Sequence, residues 1–138
     1  MSTSGLAAPF SNADTKPYWQ AAAEGKLVLQ QCSGCGLKRF FPRHLCPTCW
    51  SDQARWVEAS GRGRVHAVTI VRRAPSPEFR DRVPYVVALV DLEEGPRLLT
   101  NIVGPNAGSA HIGQAVEVTF EPRGDGAVPQ FKVAEEAL

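Results

Sequence analysis

The arrangement of four cysteines constrains this chain more than any other feature. They form two pairs, Cys32-Ser-Gly-Cys35 and Cys46-Pro-Thr-Cys49, with ten residues between the pairs. A two-residue gap lets both thiolates of a turn face one ion while the turn's amides face the sulfurs. Gly34, Gly36 and Pro47 suit such tight turns. Two knuckles at the ends of a short hairpin complete a tetrahedral four-sulfur site. With Cys32, Cys35, Cys46 and Cys49 filling every position, a bound ion has no place for water or substrate. The metal is therefore expected to be structural zinc. A single iron of rubredoxin type uses the same ligands, so spacing alone leaves it as the lesser alternative. A redox pair of thioredoxin type sits in a βαβ setting and does not come doubled. His44, two residues before Cys46, would be a redundant fifth ligand and reads as a surface residue.

The ion is needed for folding. About 30 residues around the knuckles cannot bury enough apolar surface to fold alone, and metal binding supplies the missing free energy. Before them, Asp14 or Thr15 can cap a short helix, Pro17 fits its first turn, three alanines propagate it and Gly25 can end it. A helix this short is marginal in water and must dock, on its own domain or on another subunit. Residues 26–31 and 37–42 read as strands leading into and out of the first knuckle. Phe40 and Phe41 face opposite sides of the second, one to pack under the metal, the other under the helix. Trp50 and Trp56 read as a small core beneath the ribbon.

Beyond residue 54 the composition turns β-branched and alternating. Strands are predicted over 64–72, 84–92, 97–103, 114–120 and 129–133, separated by Gly- and Pro-containing turns and one longer loop at 74–83. The run Pro84–Leu92 is continuously apolar and suits a buried strand. Five strands in about 80 residues suit a small closed Greek-key barrel of OB type. Periodicity alone also allows an SH3-like barrel or a short sandwich. The domain plan is a flexible arm at 1–13, a helix plus metal ribbon at 14–53, a barrel at 54–134 and a tail at 135–138. The fold class is mainly β.

Charge matters by position. The formal net charge is +1, but residues 55–82 hold 7 Arg against 3 acids, whereas 83–138 hold 3 basic and 8 acidic residues. An acidic C-terminal half argues against a phosphate backbone as partner, and few aromatics interleave with basic residues on the strands. No apolar run approaches the roughly 18 residues of a membrane helix, and the N-terminus lacks a signal-peptide pattern. A cytoplasmic protein with no membrane and no nucleic-acid partner is expected, in which disulfides would be out of place. With every cysteine spent on metal, a thiolase-type nucleophile is missing, and neither His66 nor His111 accompanies a nucleophile-elbow motif.

Read in order, several segments resemble the zinc-ribbon plus OB-fold acyl-CoA-associated family, formerly labelled only as a domain of unknown function. These are PYWQAAAEGKLVLQQC, the knuckles CSGC and CPTC with FFPR between, W-x-E-x-S-G-x-G-x-V at 56–65, PYVVALVDLEEGPRLLTNIVG and IGQAVEVTFE. The match runs over about residues 14–133. It implies a rubredoxin-like zinc ribbon followed by a five-stranded OB-fold barrel. It also implies a non-catalytic partner of thiolase-fold enzymes, in a hetero-tetramer of two plus two, with a hot-dog-fold hydratase as another possible partner. The OB part would border the coenzyme A channel and the ribbon would help hold the subunits together. Local charge and loop position then nominate Arg72, Arg73, Arg80 and Arg82 for coenzyme A phosphates, with Phe79 and Tyr85 covering adenine or the pantetheine arm. The rival readings are a nucleic-acid module, a one-iron electron carrier and a stand-alone acyl-CoA binder.

Overall fold

A computed structural model describes residues 12–134. Residues 1–11 of the expected N-terminal arm and the expected tail at 135–138 lie outside the described residues. Helix α1 spans Lys16–Ala23. It is entered through a turn in which the Asn12 side chain accepts from both the amide and the hydroxyl of Thr15. Pro17 stands in its first turn, where a missing N–H costs nothing. It ends in a Schellman motif: Lys26 N–H returns to Ala21 O and Gly25 N–H to Ala22 O. Tyr18 and Ala22 share its buried face. The Tyr18 ring meets Trp19 and Phe40 edge to face, at centroid distances of 4.8 and 5.6 Å. The helix thus docks within its own chain, against β1 and the last barrel strand.

The ribbon sheet has three antiparallel strands, β1 (Val28–Cys32), β2 (Lys38–Arg39) and β3 (Ala54–Glu58), in the order β2-β1-β3. Residues 54–58, grouped above with the barrel, pair with β1 over its whole length, from Val28 opposite Glu58 to Cys32 opposite Ala54. The two-residue β2 covers only part of one edge of β1, and β3 satisfies the other. Trp56 is half-buried and packs on the core. Two aromatic expectations fail. Trp50 is 75% exposed and Phe41 61% exposed, because the ribbon is too thin to cover an aromatic on each face; Phe40 takes the place beside Tyr18.

Five strands close into a barrel: β4 (Arg62–Val71), β5 (Tyr85–Leu92), β6 (Arg97–Val103), β7 (Ala115–Arg123) and β8 (Gly126–Val133). Their order is β4-β5-β6-β8-β7, with β7 returning to β4, and only β6–β8 is parallel. Among the three architectures that periodicity allowed, this is the OB topology. The apolar run of β5 is not buried on both sides. Val86, Ala88, Val90 and Leu92 point inward and are buried, whereas the alternate residues are half-exposed. Inward residues of the barrel join Tyr18, Leu27 and Leu29 in one apolar cluster, centred on the fully buried Val90, Val116 and Phe131. Helix, ribbon and barrel therefore share a core. No helix among the described residues is long and apolar enough to cross a membrane.

The crossing from ribbon to barrel depends on two glycines. A Cβ on Gly61, at φ +80°, would lie 2.4 Å from Val118 Cγ1, and one on Gly63 would lie 2.6 Å from Asp91 O. Here β4 passes too close to its neighbours for any side chain. Gly61→Ala and Gly63→Ala should each lower stability by roughly 1–3 kcal/mol. Gly108→Ala, where a Cβ meets nothing within 4 Å, should stay within about 0.5 kcal/mol. Denaturant melts of the three variants check this.

Candidate metal centre and ligand groove

The first knuckle follows β1 and the second precedes β3, so the β1–β3 pairing brings them together. The sulfurs of Cys32, Cys35, Cys46 and Cys49 all lie within 4.8 Å of one another. Cys32 and Cys49 approach to 3.5 Å, Cys35 and Cys46 to 3.7 Å. Metal–sulfur bonds of about 2.3 Å in a tetrahedron put the sulfurs about 3.8 Å apart, so the donor set fits one four-coordinate ion. Amides of Gly34 and Cys35 point at Cys32 Sγ at 3.3 and 3.4 Å. The Cys35 amide is the main reason that the Cys32 thiol is held down at about 6, against the effect of burial. For Cys46 the Cys49 amide does the same. At Cys49 the Ser51 amide pulls down, but the surrounding sulfurs and burial push the thiol up to about 11. A metal-free cluster therefore keeps protons that a cation must displace. The four cysteines make a metal site closed by protein.

The second feature is a groove of about 880 Å³ on the barrel. Its floor is the face of β5 and β6, its flank Arg123 at the end of β7 and Gln130 within β8, and its rim the segments that follow β4 and β6. OB barrels receive ligands on the face of their second and third strands, here β5 and β6. Arg72, Phe79, Arg82 and Tyr85 all line it. The Phe79 and Tyr85 rings stand 5.7 Å apart, tilted by 38°. Arg73 and Arg80 are exposed residues of the loop and do not line the groove.

Sequence reasoning missed Leu99, Asn101, Arg123 and Gln130 in the lining. OB topology signals the first two, since the second and third barrel strands form the ligand face. Arg123 immediately precedes the Gly124-Asp125-Gly126 turn, the place of a ligand-facing loop. Arg82 is tied to Glu121 by a 2.6 Å ion pair. His44 borders a small polar pocket at the ribbon. His66 lies 3.5 Å from Asp91 on the exposed barrel surface, and His111 contacts Ser109 O at 3.4 Å.

Fold and site together define a metal ribbon joined to an OB barrel with a groove on one face. Family models agree over both parts. Residues 19–54 match the ChsH2 rubredoxin-like zinc ribbon domain and residues 56–121 the ChsH2 C-terminal OB-fold domain. A DUF35 domain-containing scaffold protein of Methanothermobacter thermautotrophicus is 40% identical over 95 residues, 68% of this chain and 71% of its own length. The chain belongs to the DUF35 family. A probable enoyl-CoA hydratase alpha subunit of Thermomonospora curvata is 41% identical over 108 residues. These residues are 78% of this chain but 33% of that subunit, so the chain spans about a third of its length. Among solved structures, a chain of the Ltp2-ChsH2(DUF35) aldolase is 37% identical, with a TM-score of 0.83 over 93% of this chain and 100% of that one.

Metal loading must release protons, so acid should reverse it. Protons compete for the thiolates as the pH falls, and the metal-bound state loses. Metal analysis should find about one ion per chain at pH 7.5 and almost none after dialysis to pH 4 or against a strong chelator. Cys32→Ser should lose the ion at every pH. Retention of the ion by that variant would contradict the four-sulfur assignment.

Proposed function

We propose that this chain is a non-catalytic accessory subunit of a thiolase-like acyl-CoA enzyme, stabilising the catalytic partner and bordering its acyl-CoA channel. The observation that carries this reading is the likeness, over nearly the whole chain, to the DUF35 component of an aldolase. The name of the Thermomonospora curvata relative, an enoyl-CoA hydratase alpha subunit, points to the same class of thioester substrates. A two-plus-two hetero-tetramer with a thiolase-fold subunit is the assembly we expect, and a hot-dog-fold hydratase is the second candidate partner. The metal is zinc, a redox-inert ion suited to a closed sulfur site; a colourless protein containing zinc supports this, and a red one containing iron overturns it.

Within the groove, Arg72 and Arg82 meet phosphate oxygens, while Phe79 and Tyr85 supply an apolar and stackable wall for the adenine or the pantetheine arm. Arg72→Ala should weaken acyl-CoA binding by the assembled complex about 10-fold or more. Arg73→Ala, on the same loop but off the groove, should leave it unchanged. Equal affinities for both variants and the wild type would remove the arginines from the site.

The ribbon offers a surface for the partner. Trp50 is exposed and holds φ at +67°, a conformation costly for a bulky residue. The knuckle fixes it there through its amide, which donates to Cys46 O at 2.9 Å. Phe41, Leu45 and Leu37 are exposed on the same ribbon. Purification of the chain from its native host under gentle conditions should recover a thiolase-fold protein. Trp50→Gly should raise the melting temperature of the isolated chain, by relief of roughly 1 kcal/mol of backbone strain, and weaken the complex. Recovery of no acyl-CoA enzyme would overturn the reading.

A further inference from the structure

Glu121 on β7 does not line the groove, yet it holds two guanidiniums that do. Its Oε1 accepts from Arg82 Nη2 at 2.6 Å, and its Oε2 accepts from Arg123 Nη2 at 3.0 Å and from Gln130 Nε2 at 2.9 Å. Arg82 arrives from the β4–β5 loop, Arg123 from the end of β7 and Gln130 from β8, so three separate segments meet on one carboxylate. Gln130 is buried, and the Arg123 side chain is 16% exposed. The Arg123 Nε is buried and donates to no group among the described residues.

Two guanidiniums and one carboxylate leave a local charge of +1, and Arg72 on the same groove adds another. Arg123 lines the groove with part of its side chain accessible, and the planar fork of a guanidinium matches phosphoryl oxygens. The rest of the lining is largely apolar, with Ile70, Val87, Leu99 and Val103. The groove therefore suits a molecule with an anionic end and an apolar body.

We infer that Arg82 and Arg123 form the anion subsite of this groove and take a phosphoryl group of the ligand, with Glu121 as the positioning residue that aims them. The inference rests on the acyl-CoA reading above, in which the anionic groups of the ligand are phosphates. It adds Arg123 and Glu121, which no family resemblance nominated. Glu121 acts here against its own charge. If it merely competed for the arginines, removing its negative charge would strengthen anion binding. As the anchor of the pair it must do the opposite.

That difference of sign gives the test. Coenzyme A and pantetheine, which has the same arm without phosphates, are titrated calorimetrically into the full chain and into the complex recovered with its partner. Coenzyme A should bind at least 10-fold more tightly than pantetheine. Arg123→Gln should weaken coenzyme A about 10-fold or more and leave pantetheine unchanged. Arg123→Lys, which keeps the charge without the fork, should recover only part of the loss, and it decides the matter if the Gln variant fails to fold. Glu121→Gln should weaken coenzyme A despite removing a negative charge. Tighter binding by Glu121→Gln, or unchanged binding by Arg123→Lys and Arg123→Gln, overturns the inference and leaves the accessory-subunit reading standing. Absence of coenzyme A binding by both the wild-type chain and the complex overturns the groove reading and the inference together. Failure to recover an acyl-CoA enzyme tests the accessory reading alone.

Discussion

Convergence of four thiolates on one point is the constraint from which the N-terminal third of the molecule follows. A three-stranded sheet with one two-residue strand and two exposed aromatics has too little interior to hold itself. The sulfur cluster closes the knuckles, and the knuckles fix where β1 ends and β3 begins. That pairing carries the chain to Ala59 and Gly61, where it enters the barrel. Tyr18, Leu27 and Leu29 then complete the shared core with Val90, Val116 and Phe131. Metal, ribbon and barrel are links of one cooperative structure.

Closure of the barrel has a second consequence. Every barrel strand is paired on both sides over part of its length, so binding by strand addition is not the natural use of the barrel surface. The proposed place of recognition is the face of β5 and β6 with the loops at its edge. The β4–β5 loop is held there by the Arg82–Glu121 ion pair. Burial alone would push the Glu121 carboxyl up, but hydrogen bonds from Arg82 and Arg123 outweigh it and hold the group below the usual carboxylate range. The anchor is therefore ionised at neutral pH, as a tether between two guanidiniums requires.

Much of this was legible in the sequence, for identifiable reasons. The cysteine spacing specifies its own geometry, the Pro17-to-Gly25 signals bracket α1, and the five apolar runs fall on the five barrel strands because turn residues punctuate them. What was not legible depends on contacts distant in sequence. The pairing of Ala54–Glu58 with β1 joins segments more than twenty residues apart and has no local mark. Arg82 and Glu121 lie 39 positions apart, so loop composition alone could nominate the arginine but not its anchor. Trp50 and Phe41 were misread because aromatic residues beside a metal knuckle look like core, and only the thickness of the ribbon shows that they cannot be. Arg73 and Arg80 share a loop with Arg72 and Arg82, and composition cannot tell which side chains face the groove.

The proposed role is to act through another subunit rather than alone. Its direct test is turnover of an acyl-CoA thioester by the metal-loaded chain alone, by the catalytic partner alone and by the two together. No turnover by the chain, and a rise in the activity or stability of the partner on mixing, are expected. Turnover by the isolated chain, or a partner indifferent to its presence, would contradict it.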